Sequence, residues 1–545
     1  MTLSISKPIW QKLSLLPAVL LLASCGGGDP ASTANLSGQV SSVASLAGGK
    51  ATHYAATRFL EQAAMGPSPA SVAQVKAQGI DAWIAAQVKL PPTLVVTPPS
   101  LYDHELNIDK PAENRMWDFM RTNNVNLLIG AEDQLRVRTT WVLSNFLVIS
   151  YNKILAYGIV EYQNFLQKNA FGQYGDLLKE LTRNPSMGAY LDNHQNRKSQ
   201  LNENYGRELM QLFSVGLVQL NLNGTPKRDA SGKVIETYSQ KDVIEITRAL
   251  TGWNFAEPNG KRKSANGANY GKPMEAEWKD QHDTGAKTFL GKTIPAGQDA
   301  YKDLDSLVEI LVTHPNTAPF VSLRLIQGMT TSDPSPEYLQ RVAAVFRDTK
   351  GNLAKVITAI LTDPEARSGD VSSKQTANFG RIKDPLLIFA SGFRGLGCKI
   401  APKNPWNSTE VVVGNQQQFG APSVFNFFPP NHRTQGTNVL APEQKMLNSI
   451  EFANRMNYFS NRMSDENLLR DAGCEVDVFK TAQAVSDEKL VDLMNDRYFR
   501  GALPASVAKS LIDTNKNLWE KNKGLKLTGG MLDMAAVTPI FGVSK

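Results

Sequence analysis

Cysteine and histidine are the scarce residues of this chain, three and six among 545. Metal centres built on thiolates therefore lack ligands. No Cys-x-x-Cys-His occurs, which excludes covalently attached haem of the c type. Neither His-Glu-x-x-His nor the Glu-x-x-His repeats of helical di-metal carboxylate proteins is present. A Gly-x-Ser-x-Gly elbow, the common hydrolase nucleophile signal, is missing too. The sequence thus gives no reason to expect a metal or any other cofactor. Beyond the N-terminus no stretch reaches the roughly eighteen apolar residues of a membrane span. Concentrated charge is also lacking. The formal net charge is +7, two units of it from Lys7 and Lys12. So mild an excess suits an anionic envelope surface and is not the basic patch of a nucleic-acid binder, so no nucleic-acid partner is expected. The short run Lys261-Arg262-Lys263, set among Asn and Gly, reads as a solvated loop.

What is present is an ordinary globular composition, 42% hydrophobic and 20% charged, which argues against disorder. A chain this long buries ample core without disulfides or metals. The first residues are different. Lys7 and Lys12 precede an apolar run from Leu13 to Ala23 that holds Pro17. That run is too short to cross about 30 Å of hydrocarbon as a helix. It has the layout of a signal peptide. It ends Leu22-Ala-Ser-Cys25, which resembles the bacterial lipobox. The resemblance implies cleavage after Ser24, acylation of Cys25 and a lipid anchor in the membrane. Gly26 after the cysteine points by the same resemblance to the outer membrane, facing the periplasm or the surface. Cys398 and Cys474 remain. An oxidising compartment permits a bridge between them, but their spacing does not establish one.

Residues 25–50 are rich in Gly, Ser, Ala and Thr and read as a flexible tether. Helical signals begin near Thr52, and residues 51–545 read as one domain. Ser68-Pro69 reads as a helix start and Gly79 as its stop. A second helix runs from Asp81 to Val88. Residues 91–113 read as Pro-rich and extended. Apolar periodicity follows over 132–150, then over 159–168, 173–181, 201–215, 240–250, 303–313, 318–329, 335–348, 352–361, 381–394, 441–459, 487–495 and 504–521. Two long stretches, 256–300 and 400–440, are rich in Gly, Asn and Pro and are expected to be irregular. Strand signals are few, and Thr409 to Val413 is the best. The expected fold is mainly α: one large helical globular domain with long loops and at most a minor β-hairpin.

Polar residues concentrate on two of these helices. Leu201, Tyr205, Leu209 and Leu212 form an apolar stripe. Beside it Glu203 and Arg207 stand four apart, the favoured order for an ion pair. Asn204 and Glu208 share an adjacent strip. The second helix carries Asp242, Glu245 and Arg248, and the loop beyond holds His282. Two readings arise. Glu203, Arg207, Glu208, Glu245, Arg248 and His282 could surround one cleft and carry acid–base chemistry. Alternatively they form a buried ion-pair lattice that fixes helix register. In either case Glu208 or Glu245 should meet an arginine of the other helix, with His282 nearby. His53, His104 and His194 stand alone and suggest no site.

Ala286 to Thr293 fits the loosest form of the phosphate-loop pattern. The polar residues before it and the apolar Phe289-Leu290 within it do not fit the mechanism, which needs a buried strand and free backbone amides. Gln418 to His432 packs four Phe and three Pro into fifteen residues. Rings need burial and Pro stiffens the chain, so this segment is expected to be a rigid loop pinned across the helices, with a ligand groove as the other reading.

Four blocks together resemble one bacterial exported family, known as domain of unknown function 1800. They are Asn202-Glu-Asn-Tyr-Gly-Arg-Glu-Leu-Met-Gln-Leu-Phe213, Tyr238-Ser-Gln-Lys-Asp-Val243 with Arg248-Ala-Leu-Thr-Gly-Trp253, His282-Asp-Thr-Gly-Ala-Lys-Thr-Phe-Leu-Gly291, and Ala421-Pro-Ser-Val-Phe-Asn-Phe-Phe428. They fall in the family's order, and the resemblance runs from about His53 to the C-terminus. It implies export, and a partner protein of sulfatase-like fold encoded beside it. It brings no catalytic residue. One departure is visible. Many members carry a Trp-x-x-His-Phe-like block where this chain has Trp141-Val-Leu-Ser-Asn145-Phe146. The sequence therefore leaves two functions open. One is an envelope lipoprotein that binds a partner protein or polymer and assists assembly or secretion. The other is an extracytoplasmic enzyme acting on a polymer through the Glu/Arg/His cluster.

Overall fold

Side-chain caps set many of the helix boundaries. Ser68 accepts from the Ser71 backbone, Ser71 reciprocates, and Pro69 fills the first turn. The Pro69–Gln78 helix therefore starts and stops where the sequence indicates. Ser335 caps Pro336–Asp348, Asn352 caps Leu353–Thr362 and Asp384 caps Pro385–Gly395, each by a side-chain oxygen that accepts from a first-turn amide. The computed structural model describes residues 50–98, 110–256, 269–276, 279–401, 416–463, 465–519 and 525–545. The expected signal segment 1–24, Cys25, the expected tether up to residue 49, His104, Lys261-Arg262-Lys263 and the expected strand over Thr409–Val413 lie outside them. No helix of the described residues is long and apolar enough to cross a membrane.

The architecture is mainly α, with helices following one another from His53–Ala63 to Pro539–Gly542. Among the described residues two short antiparallel sheets complete it. Lys287–Phe289 pairs with Lys292–Ile294, and Arg381–Ile382 pairs with Val543–Ser544. The first hairpin occupies the stretch that mimics a phosphate loop. Leu290 and Gly291 take φ of 49° and 71°, as a tight hairpin turn requires, so the backbone there is spent on strand pairing. The second sheet ties the C-terminus to the start of the Pro385–Gly395 helix.

Residues 91–98 are irregular, as read, but the extended reading fails further on. Lys110–Gly130 is a helix of 21 residues. Pro111 lies in its first turn, where proline is tolerated because the missing N–H would be unpaired anyway. Met116, Met120, Leu127, Leu128 and Ile129 are buried along it. Tertiary packing thus outweighs the weak helix propensity of Thr122-Asn123-Asn124. Six further α-helices of the described residues escape the periodicity reading: Pro185–Tyr190, Pro364–Ser368, Glu466–Asp471, Val476–Val485, Leu525–Ala536 and Pro539–Gly542.

Two hydrophobic cores fill the body. One gathers Phe59, Trp83, Tyr162, Leu178, Trp253, Leu325 and Ile357. The other gathers Leu128, Phe389, Phe459, Leu490 and Phe541. Full burial of such side chains contributes roughly 1.5–3 kcal/mol each. Cys398 and Cys474 both pack in the second core and are joined by a disulfide.

Charged side chains are buried among the helices as well. Glu61 takes Lys383 Nζ on one oxygen at 3.0 Å and Arg500 Nε on the other at 2.9 Å. Arg381 binds Glu443 at 2.8 Å and Asp384 at 3.5 Å. Arg138, fully buried beside Arg381, is pushed down to about 9 by desolvation. Glu61 joins the His53–Ala63 helix to Arg500, and apart from the spacing of three between Arg381 and Asp384 no local spacing in the sequence announces these pairs.

Candidate functional site

The Asn204–Gln211 and Gln240–Ala249 helices pack directly against each other. Gly206 makes that approach possible, since a β-carbon there would lie 2.8 Å from Thr247 Oγ1. Ser239 and Asp242 form a capping box that starts the second helix. Across the pair, Gln240 links the charges. Its amide donates to Glu203 at 2.9 Å and its oxygen accepts from Arg207 at 3.1 Å. Arg207 also holds Glu203 at 2.7 Å, the pairing that the spacing of four suggests. This group lies at the surface, with the Arg207 side chain 39% exposed.

Glu245 and Arg248 face the hairpin. Arg248 binds Glu245 of its own helix at 2.9 Å and Asp283 at 2.8 Å, and it reaches the Ala286 carbonyl at 3.1 Å. The Asp283 carboxyl is held below its ordinary range, first by the Arg248 hydrogen bonds and also by the Gly285 amide. The acids of the helix receive hairpin amides in turn. Thr288 N donates to Glu245 at 2.9 Å, and Leu290 N donates to Asp242 at 2.8 Å. The cluster thus docks the hairpin onto the helix. The expected arginine crossing between the two helices is corrected. Glu245 uses its own Arg248, because their spacing of three places both over the hairpin, and Gln240 makes the crossing.

His282 lies beneath this junction, 4% exposed. Nδ1 is 2.9 Å from the Thr251 carbonyl and Nε2 is 3.1 Å from Asp303. Lys287 contacts the same Asp303 oxygen. Asp283, Lys287 and Asp303 were not singled out by the sequence. Asp283 and Lys287 lie in the His282–Gly291 block, and only the fold brings Asp303 to them.

Glu208 stands apart from these groups. It is buried, and its Oε2 has no hydrogen-bond partner. Burial raises the carboxyl above its ordinary range, opposed by Arg207. Its charge acts on Tyr190 and Tyr238, and both phenols are raised chiefly by burial. The Tyr238 hydroxyl is likewise buried without a partner. One turn earlier on the same face, Asn204 donates to Asp192 at 3.4 Å, and Lys153 binds Asp192 at 2.6 Å. The six candidates are therefore distributed over a surface link, a hairpin dock, a buried imidazole and an isolated carboxyl.

The aromatic segment also finds its place. Asn426, at φ 58°, donates to Asn145 Oδ1 at 2.9 Å. Phe419 is buried against Tyr162, and Gln417 accepts from the Tyr151 hydroxyl at 2.8 Å. The loop is pinned as expected. Between it and Trp141, Ser144 and Asn145 runs a narrow slot. Asn145, which departs from the family block, lines this slot. A larger cleft of about 310 Å³ lies between His53, Pro69, Lys76, Leu493 and Arg497. His53 is fixed there by the Asp496 carbonyl at 3.0 Å.

No curated protein and no solved structure matches the chain. The family model described as protein of unknown function (DUF1800) matches residues 58–543. That span includes both core clusters almost entirely, the docked hairpin, Glu208 and the pinned aromatic loop. The chain belongs to the DUF1800 family.

Proposed function

We propose that this protein is an exported lipoprotein, anchored at the cell envelope through Cys25, whose helical domain binds a partner protein or polymer and assists assembly or secretion. The observation that carries this reading is the internal use of the polar cluster. Arg248 is spent on Glu245, Asp283 and a backbone carbonyl, and His282 on Thr251 and Asp303. Groups so engaged hold a hairpin in place. The Cys398–Cys474 disulfide supports the address, because such bridges persist in oxidising compartments. A partner of sulfatase-like fold, or an envelope polymer, is the expected ligand. The test is affinity capture of the full-length lipoprotein from its own envelope, beside a Cys25→Ala chain that should lose lipid labelling and membrane retention. Reproducible recovery of one partner supports the reading. Membrane retention without any lipid on the wild type sinks the anchor.

A second reading, an extracytoplasmic enzyme, rests on Glu208. A carboxyl raised by burial, with one oxygen unpaired, is suited to proton transfer.

A further inference from the structure

Three buried side chains meet under the hairpin. Lys287 comes from the first hairpin strand, and Asp303 from the first turn of the Ala300–Thr313 helix. Both are 0% exposed. Lys287 Nζ donates to Asp303 Oδ2 and to the Asp283 carbonyl. His282 Nε2 faces the same Oδ2 at 3.1 Å. Its Nδ1 faces the Thr251 carbonyl at 2.9 Å. A carbonyl only accepts, so Nδ1 carries a hydrogen. Nε2 and Oδ2 then need one further proton between them in order to bond. The Gln298 amide nitrogen, in the orientation that satisfies its neighbours, donates to Asp303 Oδ1 at 3.1 Å. One carboxyl is therefore met by an amine, by a proton carrier at one oxygen and by a hydrogen-bond donor at the other. Amide formation needs this set: a nucleophile, an acid for the departing oxygen, and a donor where negative charge develops.

We propose that Lys287 and Asp303 condense to an intramolecular amide, with His282 carrying the proton. Nζ passes one proton to Oδ2 across their hydrogen bond and becomes a neutral amine. Its lone pair attacks Cγ, and Gln298 holds the charge that grows on Oδ1. The Cγ–Oδ2 bond then breaks. Oδ2 leaves as water, taking its second proton from His282 Nε2, which recovers one from the new amide nitrogen. One C–N bond forms, one C–O bond breaks, and nothing is oxidised or reduced. Two buried charges disappear, and burying charge is what makes an ion pair costly. Fixed proximity removes the entropic cost of bringing the groups together. The product is a covalent staple between hairpin and helix, independent of the disulfide.

Intact-mass spectrometry of the purified, folded full chain tests this. The expected mass is one water below that calculated for the same disulfide-bonded chain with its N-terminus as processed and acylated at Cys25. Trypsin should fail to cut after Lys287 and should release a branched peptide joining Lys287 to Asp303. His282→Gln and Lys287→Arg, each checked for folding by circular dichroism, should keep the full mass. A wild-type chain at full mass that is cleaved after Lys287 overturns the proposal and leaves an ion pair, a result that needs neither variant to fold. A complete bond in His282→Gln overturns the role given to the imidazole.

Discussion

Arg248 grips Asp283 through two hydrogen bonds, Nε to Oδ2 at 2.8 Å and the second terminal nitrogen to Oδ1 at 3.1 Å. The planar guanidinium matches a carboxylate in this fork geometry, which adds direction as well as energy. Its other terminal nitrogen holds Glu245. One side chain thus joins a helix to the segment that leads into the hairpin.

Removing that side chain strands two partly buried acids. Arg248→Ala should cost about 1–3 kcal/mol, between the values for exposed and for buried pairs. Arg207→Ala should cost less than about 1 kcal/mol, since its pair is solvent-exposed. Urea unfolding of both variants decides. Equal losses would contradict the assignment of one link as dock and the other as surface pair.

The same contact carries a pH dependence. Arg248 lowers the Asp283 carboxyl in the folded state. Its contribution is therefore present above the unfolded value of about 3.9 and is lost as pH falls through the folded value. Melting curves of wild type and Asp283→Asn should stay apart above roughly pH 4 and converge as pH falls from there through the folded value. A constant gap across that range would refute the linkage.

Much of the frame was legible because caps and periodicity are local. Ser68, Pro69 and Gly79 bound a helix through neighbours a few residues away, so its limits could be read directly. Lys110–Gly130 could not be read so. Its helicity depends on burying Met116, Met120 and Leu128 against distant partners, and Pro111 looks alike in a first turn and in an extended segment. The site followed the same division. The Glu203–Arg207 pair came from a spacing of four. Asp303 as the partner of His282, and Lys383 with Arg500 as partners of Glu61, are joined only by the tertiary fold. The sequence offered a charge lattice on the Asn204–Gln211 and Gln240–Ala249 helices, and ion pairs do form there, at the surface or partly buried. The deeply buried groups are those of Glu61 and of Arg381 with Glu443.

Glu61 is the centre of one of these buried groups, and its loss leaves Lys383 and Arg500 buried without their acid. Glu61→Ala should cost about 3–5 kcal/mol, the range for breaking a buried pair. The chain should express poorly or melt far below wild type. A loss under about 1 kcal/mol would mean that water reaches these cations.

The Cys398–Cys474 bridge closes a loop spanning a sequence separation of 76. By loop-closure entropy it should stabilise the fold by roughly 4 kcal/mol. Reductant, or the paired Cys398→Ser and Cys474→Ser chain, should lower the melting temperature. Free-thiol titration of the denatured, unreduced protein should find neither cysteine reactive. Two reactive thiols at these positions in protein from its native envelope would remove the support that the bridge gives to export.

Glu208 separates the two proposed functions. Burial raises its folded-state value above the unfolded one of about 4.3. For an acid shifted upward, folding favours the protonated form. Its stabilising effect is thus complete below the unfolded value and is lost as pH rises through the folded value. Glu208→Gln keeps the shape and removes the charge. At neutral pH this variant should melt no lower than wild type, and the gap between them should shrink as the solution is acidified. A marked loss of stability at neutral pH would show that the carboxylate has a structural partner. Given an unchanged or raised melting temperature, complementation of a deletion strain becomes informative. Full activity of Glu208→Gln agrees with a binding module that tolerates an idle carboxyl. Abolished activity in a stable, correctly exported chain favours the enzyme, because a neutral amide of the same size can fill the site yet cannot carry the proton.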